Sequence, residues 1–167
     1  MKKIITIDDD RKVLSWIKKL IQLSFPELEV LIASSGEEGL EMAQNALPDV
    51  VLVDIMMPGM DGYTVCRKLK ENPVTAEIPV IFLSSANASS ENRLKVLKAG
   101  GDAFLSKPVE KAELILHLKA MLKIRESLQA SKNEKRRLKE LVDKRNRELH
   151  RELKKRIKIE KKLRESE

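Results

Sequence analysis

The segment Val50-Val51-Leu52-Val53-Asp54, followed by Ile55-Met56-Met57-Pro58-Gly59-Met60-Asp61-Gly62, constrains the fold more than any other stretch of the chain. An unbroken apolar run bounded by Pro and Gly reads as a strand covered on both faces, the pattern of a parallel sheet. An ionised carboxylate inside such a strand costs several kcal/mol unless it is paired or bound to metal, so Asp54 belongs at the strand's end. In open α/β sheets that end is where ligands bind.

Other apolar runs finish the same way. Lys3 to Ile7 runs into Asp8, Asp9 and Asp10; Pro79 to Leu83 into Ser84; Ala103 to Leu105 into Ser106-Lys107-Pro108. Adjacent strands therefore gather several carboxylates at one edge. Carboxylates that repel one another tolerate this proximity around a hard divalent cation, and Mg²⁺ takes a few oxygen ligands and fills its octahedron with water. A hydroxyl at Ser84 and an ammonium at Lys107 complete a site suited to a phosphoryl group.

Between the strands the apolar spacing turns helical. Val13, Leu14, Ile17, Leu20 and Ile21 predict a first helix capped by Asp9 or Asp10, and Glu29 to Ala33 a second strand. Ser34-Ser35-Gly36 leads into a helix closed by Pro48; Tyr63 to Leu69 forms a third, ended at Asn72-Pro73; Ser89 to Ala99 a fourth, stopped by Gly100-Gly101. This alternation predicts an α/β fold, a doubly wound five-stranded parallel sheet with helices on both faces. Cys66, beside Val65 and Leu69, is expected to be a packing residue, and a single cysteine fits a reducing compartment.

After Pro108 there is no further Pro or Gly, and Ala, Leu, Lys, Arg and Glu dominate. A helix from Val109 to Glu167 would hold 59 residues, with Leu114, Ile115, Leu118 and Leu122 covering the sheet. Charge divides the chain at the same place. Residues 1–123 carry 16 basic and 17 acidic side chains and residues 124–167 carry 17 and 9, nets of −1 and +8 that account for the overall +7. Along the tail Met121, Leu128, Lys135, Val142, Leu149, Arg156 and Leu163 fall seven apart, flanked by Ile124, Leu138, Leu153 and Ile159, a coiled-coil seam with polar faults. The competing reading is a solvated single helix held by ion pairs along its surface.

Residues 2–122 resemble the receiver domain of a two-component response regulator. Asp8 and Asp9 fall on that family's acidic pair, Asp54 on its phospho-acceptor, Ser84 on its Ser/Thr switch, Lys107 on its lysine before proline and Phe104 on its aromatic switch position, where Tyr is common. The resemblance implies a flavodoxin-like strand order 2-1-3-4-5. It implies Mg²⁺ held by Asp9, Asp54 and the Met56 backbone carbonyl, with Asp8 ordering water, and phosphoryl transfer to Asp54 from a sensor histidine kinase or phosphotransfer protein. Such a chain is not itself an enzyme beyond its own phosphorylation and dephosphorylation. The expected division is a receiver domain, 1–123, and a basic coiled-coil signalling helix, 124–167, continuous with the last receiver helix and forming a parallel homodimer. Glu160 to Glu167 resembles the segment that precedes PAS domains, so a PAS, kinase or cyclase-type output is expected downstream.

The alternative is a transcription regulator whose basic helix grips nucleic acid, since +8 is enough for phosphate attraction. Interspersed acids and the absence of aromatics from the tail weigh against it. His117 and His150 lack acidic or thiolate partners at metal spacing, and Lys95 and Lys98 are expected to face solvent. No apolar run is long enough to span a bilayer, and MKKIITIDDD turns acidic too soon for a signal peptide, which predicts a cytoplasmic chain.

Overall fold

A computed structural model describes residues 1–85 and 89–167. Strand β1 (Lys3–Ile7) is followed by α1 (Arg11–Ser24), β2 (Glu29–Ala33), α2 (Gly36–Ala46), β3 (Val50–Asp54), α3 (Gly62–Glu71), β4 (Val80–Ser84), α4 (Ser90–Ala99), β5 (Ala103–Ser106) and α5 (Lys111–Ser166). The strands form one parallel sheet in the order β2-β1-β3-β4-β5. Both the alternation and the expected strand order are therefore present.

Because side chains alternate along a strand, each strand feeds two cores. Ile4, Leu52, Ile81, Leu83 and Leu105 face α1 and the start of α5, where Ile17, Ile21, Leu114, Leu118 and Leu122 cover them. Ile5, Ile7, Val51, Val53, Val80 and Phe82 face α2, α3 and α4, against Ala43, Val65, Cys66, Leu69, Val96 and Ala99. Burial on both faces explains why β3 and β4 read as continuous apolar runs rather than alternating ones. Cys66 is wholly buried, its Sγ donating to the Ala99 carbonyl at 3.2 Å, and burial pushes its thiol up to about 11. It packs, as its neighbours in the sequence suggested.

The helix caps settle the choices that spacing left open. Asp10, not Asp9, caps α1, its carboxylate accepting from the Lys12 and Val13 amides. Ser35, Asp61 and Ser89 cap α2, α3 and α4, each accepting from an amide three residues on. Helix α5 begins at Lys111 rather than Val109: Val109 turns into the core and is 7% exposed, and the Leu114 amide bonds back to the Glu110 carbonyl.

Two compact units are distinguished, Met1–Arg125 and Glu126–Glu167. In the second every residue is exposed, including Leu128, Leu138, Val142, Leu149, Leu153, Ile157, Ile159 and Leu163. Arg145 pairs with Glu148 at 3.4 Å and Arg156 with Glu152 at 3.1 Å along the helix surface. Among the described residues no helix is long and apolar enough to cross a membrane.

Candidate phosphoryl-acceptor site

The chain leaves β1 in one direction towards β2 and enters β3 on its other side, so a crevice opens between the carboxyl ends of β1 and β3. Asp8 and Asp9 follow β1, and Asp54 is the last residue of β3. Carboxylate oxygens of Asp8, Asp9 and Asp54 lie within 4.8 Å of one another. Asp8 and Asp54 are buried, at 0% and 5% exposure, while Asp9 is open to solvent. Burial keeps water from screening two of the three charges; the exposed third leaves a way in.

Lys107 reaches this cluster from the end of β5. Its Nζ donates to Asp8 Oδ2 at 2.7 Å and stands 3.4 Å from Asp54 Oδ1. The preference is clear: Asp8 receives a short, charge-assisted hydrogen bond and Asp54 a looser ion-pair contact. Asp8 Oδ1 also accepts from the Asp10 amide at 2.9 Å. Asp54 Oδ1, by contrast, is shielded from solvent and accepts no hydrogen bond. Burial pushes the Asp54 carboxyl up, the neighbouring Asp8 charge pushes it further, and Lys107 only partly offsets them. Burial works against the Lys107 ammonium, but the hydrogen bond and charge of Asp8, with Asp54 behind, outweigh it and raise its pKa. An all-oxygen set of anionic donors, one of them without a hydrogen-bond donor, suits a hard divalent cation.

Ser84 ends β4, buried, one residue beyond the Leu83 that pairs with Asp54 in the sheet, and opposite Ser106 of β5. Its carbonyl accepts from the Lys107 amide at 2.6 Å, tying the two site-bearing strand ends together. Phe104 is half-buried beside Phe82 in the sheet and packs against the core beneath α2, α3 and α4. Met56 lies in the loop after Asp54 with its side chain 71% exposed, while the next methionine, Met57, is buried and anchors the loop. The Met60 amide donates to Glu37 Oε1 at 3.2 Å, a second anchor. The structure thus brings Asp8, Asp9, Asp54 and Lys107 into contact range and sets Ser84 on the adjoining strand. His117 and His150 lie on α5 and belong to no such cluster among the described residues.

Sequence reasoning passed over Gly62 except as a turn residue. Its amide donates to the Ile55 carbonyl at 2.9 Å, and a Cβ there would collide with the Asp54 carbonyl and meet the Ile55 Cα at 3.0 Å. Backbone cannot step aside as a flexible side chain can. Gly62→Ala is expected to destabilise the protein by about 2–4 kcal/mol, in the range of overpacked or strained core substitutions. Urea unfolding measures this; a loss well below 1 kcal/mol would mean that α3 can draw back from Asp54 freely.

Three features together define a class: a 2-1-3-4-5 parallel sheet, an acidic cluster at the β1/β3 crevice and a lysine reaching it from β5. Residues 4–119 match the response regulator receiver domain, and the chain belongs to that family. It is 34% identical over 123 residues to the response regulator PleD of Caulobacter vibrioides, covering 74% of this chain and 26% of PleD. With the response regulator MprA of Mycobacterium sp. (strain KMS) it shares 36% over 121 residues, 72% of this chain and 50% of MprA. The structure resembles that of a CheY-like response regulator receiver domain protein from Methanospirillum hungatei, with a TM-score of 0.68 at 32% identity over 76% of this chain and 98% of that one. The chain spans a quarter to a half of the curated relatives' length, and the similarity lies in the receiver. Relatives of this kind support a phosphorylation-dependent receiver in signal transduction.

Proposed function

We propose that Asp54 accepts a phosphoryl group from the phosphohistidine of a sensor kinase or phosphotransfer protein, and that the change is passed along α5 to an output domain. The observation that carries this is Asp54 itself: buried, lacking a hydrogen bond at Oδ1, and held next to two further acids and one lysine. The Asp54 carboxylate attacks phosphorus in line; the P–N bond breaks, and its electron pair returns to the donor imidazole, which takes a proton from solvent. Water attack on phosphorus later restores the carboxylate.

Asp9, Asp54 and the Met56 carbonyl would hold Mg²⁺, with Asp8 ordering its water, and the ion supplies charge neutralisation for the transferring oxygens. Lys107 opposes a second phosphoryl oxygen and Ser84 donates to a third. Phosphorylation brings close to two negative charges. Ser84, drawn towards them, vacates the space into which Phe104 turns, and the α4-β5-α5 face is remodelled. The chain promotes no chemistry but its own phosphorylation and dephosphorylation. It acts in the cytoplasm as a parallel homodimer through residues 124–167, the signalling helix that follows the receiver of residues 1–123, with a PAS, kinase or cyclase-type domain after it.

The test is incubation with magnesium and acetyl phosphate, followed by intact-mass measurement and peptide mapping after borohydride trapping. One phosphoryl group on Asp54 is the expected result. Absence of modification, together with no binding of beryllofluoride, overturns the reading.

A further inference from the structure

The tail of α5 carries more apolar surface than one seam can use. Up to Leu149 one stripe carries the apolar residues apart from Leu141, which flanks it: Leu128, Leu138, Val142 and Leu149 follow the seven-residue repeat, with Ser131, Lys135 and Arg145 in the intervening layers. Beyond Leu149 the stripe divides. Continuing the repeat passes through Glu152, Arg156, Ile159 and Leu163. Stepping four residues twice passes instead through Leu153 and Ile157, then Glu160 and Arg164. Each branch offers two apolar and two charged layers. All eight side chains are exposed, and Leu153, Ile157, Ile159 and Leu163 are each more than half so.

We infer that from Leu149 onward the helix presents two alternative seams to a second copy of this chain, and that the phosphorylation state of the receiver shifts the dimer between them. This rests on the dimeric, phosphate-accepting reading above.

The second copy is argued from charge. In a parallel pair following the unbroken repeat, flanking positions five residues apart face one another across the seam. Of the six such pairs between Ser127 and Glu167, three have a charge on both sides, Glu134 with Lys139, Lys155 with Glu160 and Lys162 with Glu167, and all three are of opposite sign, so no like charges face each other. The two charged layers of that seam, Glu152 and Arg156, lie one turn apart and already pair at 3.1 Å within the helix, which lessens the repulsion between like charges of the two copies. The second seam has its apolar layers, Leu153 and Ile157, directly after Leu149, where they extend the Leu149 contact without a charged break. Its flanks are poorer, since Arg156 then faces Lys161. One seam is better along its edges and the other along its centre. Neither dominates, and the two differ by a shift of one residue at every layer.

Coupling follows from continuity. Leu114, Leu118 and Leu122 seat the start of α5 against the sheet, and the same helix runs to Ser166 with no Pro or Gly to absorb a rotation. Adjacent residues lie about 100° apart round a helix, so replacing Glu152 by Leu153 at the seam needs only a fraction of a turn.

Three single-cysteine variants of the full chain in a Cys66→Ala background test this. Leu149→Cys lies in both seams, Glu152→Cys in the first alone and Glu160→Cys in the second alone. Disulfide formation in the dimer is followed with and without magnesium and beryllofluoride. Cross-linking at Leu149→Cys in both conditions is expected, with the ratio of Glu152→Cys to Glu160→Cys dimer changing by about threefold or more on activation. If Leu149→Cys cross-links but only one of the other two does, or their ratio is constant while beryllofluoride binds, the paired-seam inference fails and the dimer stands. If Leu149→Cys does not cross-link and sedimentation gives a monomer, the dimeric reading fails with it. An unfolded variant is recognised by its circular dichroism, and Glu152→Ser and Glu160→Ser then report seam choice through their opposite effects on dimer dissociation.

Discussion

Asp54→Asn abolishes phosphoryl uptake from acetyl phosphate, reducing labelling by about a thousandfold or more, to background, because the amide has no nucleophilic oxygen to offer. The same substitution has a second, opposite effect. In metal-free buffer at neutral pH the variant is more stable than the wild type, by about 1 kcal/mol or a melting temperature about 4 °C higher. Burial and the Asp8 charge raise the Asp54 pKa above its ordinary value. A carboxyl whose folded pKa exceeds its unfolded one stabilises the fold when protonated, and that contribution is lost as pH rises through the folded value. At neutral pH the wild type therefore carries an unfavourable charge that the amide lacks. The gap narrows as pH falls through the raised pKa. Magnesium reverses the ranking, stabilising the wild type more than the variant by mass action on the folded state. Calorimetry with and without magnesium at pH 5 and pH 8 measures all of this; a variant less stable than wild type in chelator would mean that Lys107 fully compensates Asp54.

Lys107→Ala is the costliest change expected among the charged side chains of the site. It removes the 2.7 Å hydrogen bond to Asp8 and the 3.4 Å contact to Asp54 together, leaving two buried carboxylates facing each other. Breaking a fully buried pair costs about 3–5 kcal/mol; with the lysine side chain 18% exposed, a loss of about 2–3 kcal/mol is expected in metal-free urea unfolding. Burial and the Asp8 charge already raise the Asp54 pKa, and without the ammonium nothing from Lys107 offsets them. The variant should then recover stability as pH falls through the raised Asp54 value and be worst at pH 8. Lys107→Arg keeps the charge and should avoid most of the loss, and magnesium should restore part of the lost stability to the alanine variant. An alanine variant with wild-type stability at pH 8 would show that water reaches the cluster far more readily than its burial implies.

The legible part of this protein is the part set by local pattern. Apolar runs ending in Asp8, Asp54, Ser84 and Lys107 located strand ends, and hence the site, because a buried strand cannot carry a charge in its middle. Periodicity found the helices, since spacing alone selects the face that is covered. The strand order came through family resemblance, not spacing, because a parallel strand can be inserted beside any neighbour a crossover can reach.

Three-dimensional packing decided the rest. Asp9 and Asp10 are equivalent as caps by composition, and only the geometry of α1 selected Asp10. The burial of Val109 delayed the start of α5, and the meeting of α3 with the end of β3 made Gly62 indispensable to the position of Asp54. Sequence by itself determined which groups would gather at the sheet's edge, because charge and hydroxyl must lie where a buried strand stops. Only the tertiary structure decided that Lys107 bonds Asp8 and leaves an Asp54 oxygen without a hydrogen bond, because ångström differences in reach across residues 99 apart in sequence are set by how the strands are stacked.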